Sequence, residues 1–282
     1  MKASGRWRLK PAWALLIFGL AVFYDLNPMY PFLLPFGVNA HLPIPKVVDA
    51  SWAKSSQPSD VKVVRVDLVT GQVTLSGARG LIELKTYSGG RRPTLGVVVA
   101  GGVAGTFDSP ACGLYDKLGN SLSTDRIMTV HLCFRKPQEF AETVYDARAA
   151  VQYLKSMGVE RVILVGHSLG GAAMISAAAF EPNVIGVVPI SSQPYGANPV
   201  SDLGSKKILV MTGLLDVVEP PAWSRAIFKE AVGERDIAYF PGSHNLDECA
   251  DGVYERLRNW ILDCKRESTS GAAAVTLTAL AN

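Results

Sequence analysis

The segment from Arg161 to Met174 constrains this chain more than any other. Val162 to Val165 are four consecutive apolar residues, the composition of a strand buried on both faces. Gly166-His167-Ser168-Leu169-Gly170 follows at once, and then a run of small residues suited to a helix packed closely on a sheet. A G-x-S-x-G turn between strand and helix holds its serine in a strained conformation with the hydroxyl clear of the backbone. Glycines on either side relieve the clashes that side chains would make there. Leu169 then presents its N–H at a helix start, where a developing negative charge is stabilised. A dinucleotide-binding turn fits less well, since no G-x-G-x-x-G is present and no acidic residue sits about 20 positions on. The bland alternative is a glycine-rich turn whose serine caps the helix.

This segment resembles the nucleophile region of the α/β-hydrolase superfamily, nearest in layout to compact serine esterases of the dienelactone-hydrolase type. The resemblance covers roughly residues 61–265. It implies a mostly parallel sheet with helices on both faces and a triad in the chain order Ser, Asp or Glu, His. The strand–helix alternation agrees independently. Residues 61–69, 72–76 and 81–87 read as an antiparallel start to the sheet. Buried strands follow at 95–100, 126–134, 162–165, 184–190, 207–211 and 236–240. Helices are expected at 111–118, 139–156, 221–232 and 247–262.

The chain has four histidines. His41 lies in a connector, His131 inside a predicted strand before the serine, and His167 beside it with its ring directed away. His244 remains, in a loop after the last predicted strand, where α/β sheets place groups that face ligands. For the acid, Asp216 follows the 207–211 strand in Gly213-Leu214-Leu215-Asp216, resembling the family's Gly-x-x-Asp turn. Glu219 is its rival, and Asp216 is preferred for its shorter reach. The family's second oxyanion donor comes from the loop after the strand ending at Ala100, so Gly102 or Val103 joins Leu169. Where relatives often carry His-Gly, this chain has Ala100-Gly101-Gly102, which leaves that register open by one residue.

The insertion between the strand after the serine and the strand before the acid is short, about residues 191–206. The cap is therefore minimal or absent, and the site open. Tyr195, Val217 and Trp223 are candidate pocket residues, Trp223 equally a helix anchor. The expected activity is hydrolysis of a carboxylic ester, from a small molecule or a lipid, with no cofactor and no metal. A peptidase, an acyltransferase, a lipase or a silent binding module are the alternatives.

The chain of 282 residues suits one large α/β domain. Of its net charge of +3, Lys2, Arg6, Arg8 and Lys10 supply four positive charges, so the remainder is near neutral and no basic surface argues for nucleic acid. Those residues precede an uncharged run over 11–24, which resembles a signal peptide and falls short of the roughly 20 residues that span a bilayer. Residues 1–24 are read as a signal or membrane anchor, with the catalytic domain extracytoplasmic; a hydrophobic arm on the domain is the alternative. Residues 25–60 form a Pro-rich connector, 61–265 the catalytic domain and 266–282 a flexible tail. Cys112 and Cys133 are the more credible disulfide pair. Cys249 and Cys264 would lie about 22 Å apart on one unbroken helix. No pair has zinc spacing.

Overall fold

The computed structural model describes residues 43–280, residue 91 excepted, with side chains through Glu267. The signal or anchor segment and the first part of the connector lie outside the described residues.

Nine strands form one sheet in the order β1-β2-β3-β5-β4-β6-β7-β8-β9. β1 (Lys62–Val66), β2 (Gln72–Gly77) and β3 (Gly80–Tyr87) make the antiparallel side, and β3 pairs antiparallel with β5 (Ile127–Cys133). β4 (Leu95–Ala100), β6 (Val162–His167), β7 (Val184–Ile190), β8 (Lys207–Gly213) and β9 (Arg235–Phe240) continue it in parallel. β4 and β6 are buried at every residue, which is why their sequences run apolar without alternation.

Helices cover both faces. On one side α2 (Pro110–Ser123) and the last helix, α6 (Ala250–Leu280), pack together, with Leu114, Leu118, Val253 and Leu257 meeting Leu95, Val97, Val99 and Val165 of the sheet. On the other, α3 (Phe140–Ser156) and α4 (Leu169–Phe180) pack on each other and on β4 to β7, and α5 (Pro221–Glu230) packs on β8 and β9. Between β7 and β8 the insertion holds only a 3₁₀ turn, Asn198–Asp202, so no cap covers the sheet's edge there.

Residues 42–282 form one compact unit. Part of the stretch read as connector is docked on it. Ile44 and Val48 are buried, and the Val47 and Val48 N–H groups donate to Asn198 Oδ1 at 3.1 and 3.0 Å. α1 (Ser51–Ser55) follows, held by Arg148, whose guanidinium reaches the Ala53 carbonyl at 2.6 Å and Ser56 Oγ at 2.9 Å while pairing with Glu181. α6 likewise runs on through residues read as a tail. The expected disulfide is absent. Cys112 and Cys133 are both thiols: Cys112 lies against Asp247, and Cys133 Sγ donates to the Gly105 carbonyl. Among the described residues no helix is long and apolar enough to cross a membrane.

Candidate active site

Because β4 and β6 to β9 run parallel, their carboxyl ends share one edge of the sheet, and the candidate residues lie in loops there, save Leu169, which opens a helix, and Trp223, which lies within one. Ser168 follows β6 with φ 54° and ψ −120°, a conformation L-residues rarely adopt. Its N–H is held by the Ile190 carbonyl at 2.9 Å, and its carbonyl accepts the Gly171 N–H at 3.0 Å. The turn is closed too tightly for side chains. A Cβ at Gly166 would lie 2.2 Å from the Gly170 carbonyl oxygen, and one at Gly170 would lie 2.3 Å from that of Gly101. Leu169 opens α4, whose first amides have no partner within the helix.

Asp216 sits in the turn after β8, 3% exposed. Its Oδ1 accepts the Val218 and Glu219 N–H groups at 2.9 and 2.8 Å, and its Oδ2 accepts His244 Nδ1 at 2.9 Å. The rival Glu219 is equally buried, its Oε2 has no hydrogen-bond partner, and burial beside the Asp216 charge pushes its carboxyl well above the usual range. Of the two carboxylates, only Asp216 is bonded to His244. The two loops lie backbone to backbone: Leu214 and Leu215 donate to the Phe240 and Gly242 carbonyls at 2.8 and 3.0 Å.

His167 is a strut within this arrangement. Its Nε2 lies 3.0 Å from the His244 carbonyl oxygen, which can only accept, so the proton resides on Nε2. Its ring packs on that of His244 at 4.6 Å, and burial, aided by His244, lowers its pKa to about 4. Among the described residues no hydrogen bond joins Ser168 Oγ to His244. Such contacts are often long before substrate binds.

The loop after β4 lies beside the serine. A Cβ on Gly102 would be 3.3 Å from Ser168 Cβ and 3.7 Å from Oγ, whereas Val103 is largely exposed. This loop is clamped by residues to which the sequence alone gives no role. Tyr115 Oη donates to the Ala100 carbonyl at 2.9 Å, and His131 Nε2 to the Asp108 carbonyl at 3.1 Å. Ala111, Cys112 and Gly113 then take left-handed conformations at the head of α2. There the Ala111 N–H bonds the Asn245 carbonyl at 2.7 Å and the Cys112 N–H bonds Asp247 Oδ1 at 2.8 Å, tying this loop to the histidine loop. The only sequence signal for His131 was a polar residue within an apolar strand.

Of the candidate pocket residues, Tyr195 is exposed and edge-on to Phe140, and Val217 is 80% exposed. Trp223 is 2% exposed: it anchors α5 in the interior and offers no wall to a ligand. Among the described residues no group of His, Cys, Asp and Glu gathers to hold a metal.

The sequence matches the Alpha/beta hydrolase family over residues 87–280, and the chain belongs to that family. No protein of curated function matches it. Among solved structures it is similar to Est1E from Butyrivibrio proteoclasticus, with TM-score 0.59 and 16% identity, covering 74% of this chain and all of that one. An acetyl xylan esterase from Paenibacillus sp. R4 gives TM-score 0.61 at 15% identity, covering 79% of this chain and 96% of that one. At such identities the likeness is one of fold.

Proposed function

We propose that the protein is a serine hydrolase that cleaves a carboxylic ester through an acyl-enzyme. The observation that carries this reading is the 2.9 Å bond from His244 Nδ1 to a buried Asp216, on the edge where a strained Ser168 is displayed. Ser168 Oγ attacks the ester carbonyl while His244 Nε2 takes its proton, and the negative oxygen of the tetrahedral intermediate is met by the amides of Leu169 and of Gly102 or Val103. The intermediate collapses, the carbon–oxygen bond to the alcohol breaks, and His244 returns the proton to the leaving alkoxide. Water then attacks the acyl-enzyme by the same route, releasing the acid and restoring the serine. Asp216 fixes the imidazole tautomer and stabilises the imidazolium. The open edge and the esterase neighbours support an ester over a peptide substrate. Ser168→Ala should lower ester turnover by about 10⁵ or more with an unchanged circular dichroism spectrum. Near-native turnover in a folded variant rejects the assignment.

We also propose that the catalytic domain works outside the cytoplasm. Support comes from the basic residues before the apolar run 11–24. Recovery of the chain, uncleaved, in the soluble cytoplasmic fraction would reject this.

A further inference from the structure

The large apolar side chains that the fold leaves exposed include a set gathered on the edge that carries the site. Val103 is 66% exposed, Tyr195 43%, Leu214 50%, Leu215 65%, Val217 80% and Val218 50%. They lie in three loops, 101–109, 191–197 and 214–220, which follow β4, β7 and β8 and so flank the Ser168 turn in the order of the strands. These loops hold three acidic or basic side chains, Asp108, Asp216 and Glu219. Asp216 and Glu219 are each 3% exposed, and Asp108 is partly buried. Between the loops after β5 and β9, which carry the exposed Lys136, Glu139, Asp247 and Glu248, these three loops thus present apolar surface with little charge of their own. A group of this kind marks an interaction surface, whereas scattered single residues do not.

The course of the chain says what covers it. Residues 47 and 48 are pinned to Asn198, immediately after the 191–197 loop, by three hydrogen bonds including Asn198 Nδ2 to the Val48 carbonyl at 2.6 Å. The chain therefore joins this unit on the same edge. Upstream lies the uncharged run 11–24 behind four basic residues, separated from Pro43 by residues 25–42. Even fully extended, that spacer reaches about 60 Å. Insertion of the run at a bilayer would keep the domain within that distance of the lipid surface, where contact of the rim removes apolar area from water.

We propose that the rim of Val103, Tyr195, Leu214, Leu215, Val217 and Val218 docks on a lipid bilayer, and that the ester the site cleaves is drawn from that surface. The inference rests on the serine-hydrolase reading for its chemistry, but docking can be measured without it. Leu214 and Leu215 suit the test, because their structural hydrogen bonds are made by backbone N–H groups.

With both changed to serine in the full chain, hydrolysis of a soluble acetate ester should stay within about twofold, as for other surface changes. Hydrolysis of a long-chain ester carried in phosphatidylcholine vesicles should fall about tenfold or more, with loss of the inserted apolar area. Equal loss on both substrates, or none on either, overturns the proposal. Separately, Leu215→Trp in the full chain should be quenched by brominated phosphatidylcholine beyond the quenching of the parent's own tryptophans. No added quenching overturns docking, as does a lipid-free dimer that the serine changes dissolve while the vesicle rate holds. If the parent cleaves neither ester, the hydrolase reading fails, and the quenching still decides the docking.

Discussion

Among the described residues two histidines stand beside carboxylates, and their surroundings are opposite in kind. His244 stands in a loop at the open edge of the sheet, bonded through Nδ1 to Asp216, with its side chain 19% exposed. His131 stands inside β5, 1% exposed, with Nδ1 3.8 Å from Asp116 Oδ1. Asp116 is itself engaged by Lys85 at 3.0 Å and by the Tyr87 hydroxyl. The His131 ring is enclosed edge-on by Phe107 and Tyr115, its Nε2 is committed to the Asp108 carbonyl, and burial lowers its pKa. The same pair of residue types therefore makes a strut in one place and, on the proposed function, a reagent in the other. What separates them is exposure: the His244 side chain is 19% exposed and that of His131 1%.

Substitutions sharpen the contrast. His244→Ala should reduce turnover by about 10⁵ to 10⁶ with little effect on folding. His131→Ala should instead cost roughly 3 kcal/mol of stability, as a cavity and a lost loop bond, and less than about tenfold in turnover per folded molecule. Rates normalised by active-site titration, read beside urea unfolding, separate the two. A His131 variant as inactive as the His244 variant while still folded would break the comparison.

The carboxylates divide in the same way. Asp216→Asn should cost about 10⁴ in turnover through the wrong tautomer. Glu219→Gln should change it by less than about threefold, because His244 is bonded to Asp216 and the amide keeps the shape of the acid it replaces. If the Glu219 variant is the more damaged of two equally folded proteins, the acid is misassigned.

The smallest effect concerns His167. Its pKa falls from an ordinary value near 6.5 to about 4 on folding, so the unfolded chain binds more protons between those values. Its contribution is complete above pH 6.5 and is lost as the pH falls toward 4, by roughly 3 kcal/mol in all. His167→Gln keeps a donor for the His244 carbonyl and removes the titration. Urea midpoints at pH 7 and pH 5 should therefore lie closer together in the variant than in the parent, and an unchanged gap would assign the slope to other groups.

Much of this architecture was legible in the sequence, and the reason is local. Strands such as β4 and β6 are written in uninterrupted apolar residues, α3 in helical spacing, and the Ser168 turn in glycines that a Cβ would obstruct. Asp216 and His244 could be picked out as candidates because each follows a predicted strand, and the structure bonds the two together. What escaped notice depends on contacts between distant residues. The docking of residues 43–58 relies on Asn198 and Arg148, about 100 to 150 positions away, and short segments without periodicity carry no sign of it. The left-handed turn at Ala111, Cys112 and Gly113 is held by the histidine loop, and two of those three residues are not glycine. Trp223 beside an active-site loop reads as pocket or anchor alike until its burial is seen. Cys112 and Cys133 do lie near one end of the sheet, yet each is turned to a different backbone carbonyl.

On the proposed function, Ser168 owes its nucleophilicity to the Asp216–His244 pair. The most direct test is labelling of the full chain by a fluorophosphonate, with the modified residue located by peptide mass spectrometry. Labelling at Ser168 alone, abolished by His244→Ala and unaffected by a folded His131 variant, is the predicted result. Label on another residue, or equal labelling of Ser168 without His244, would contradict the account.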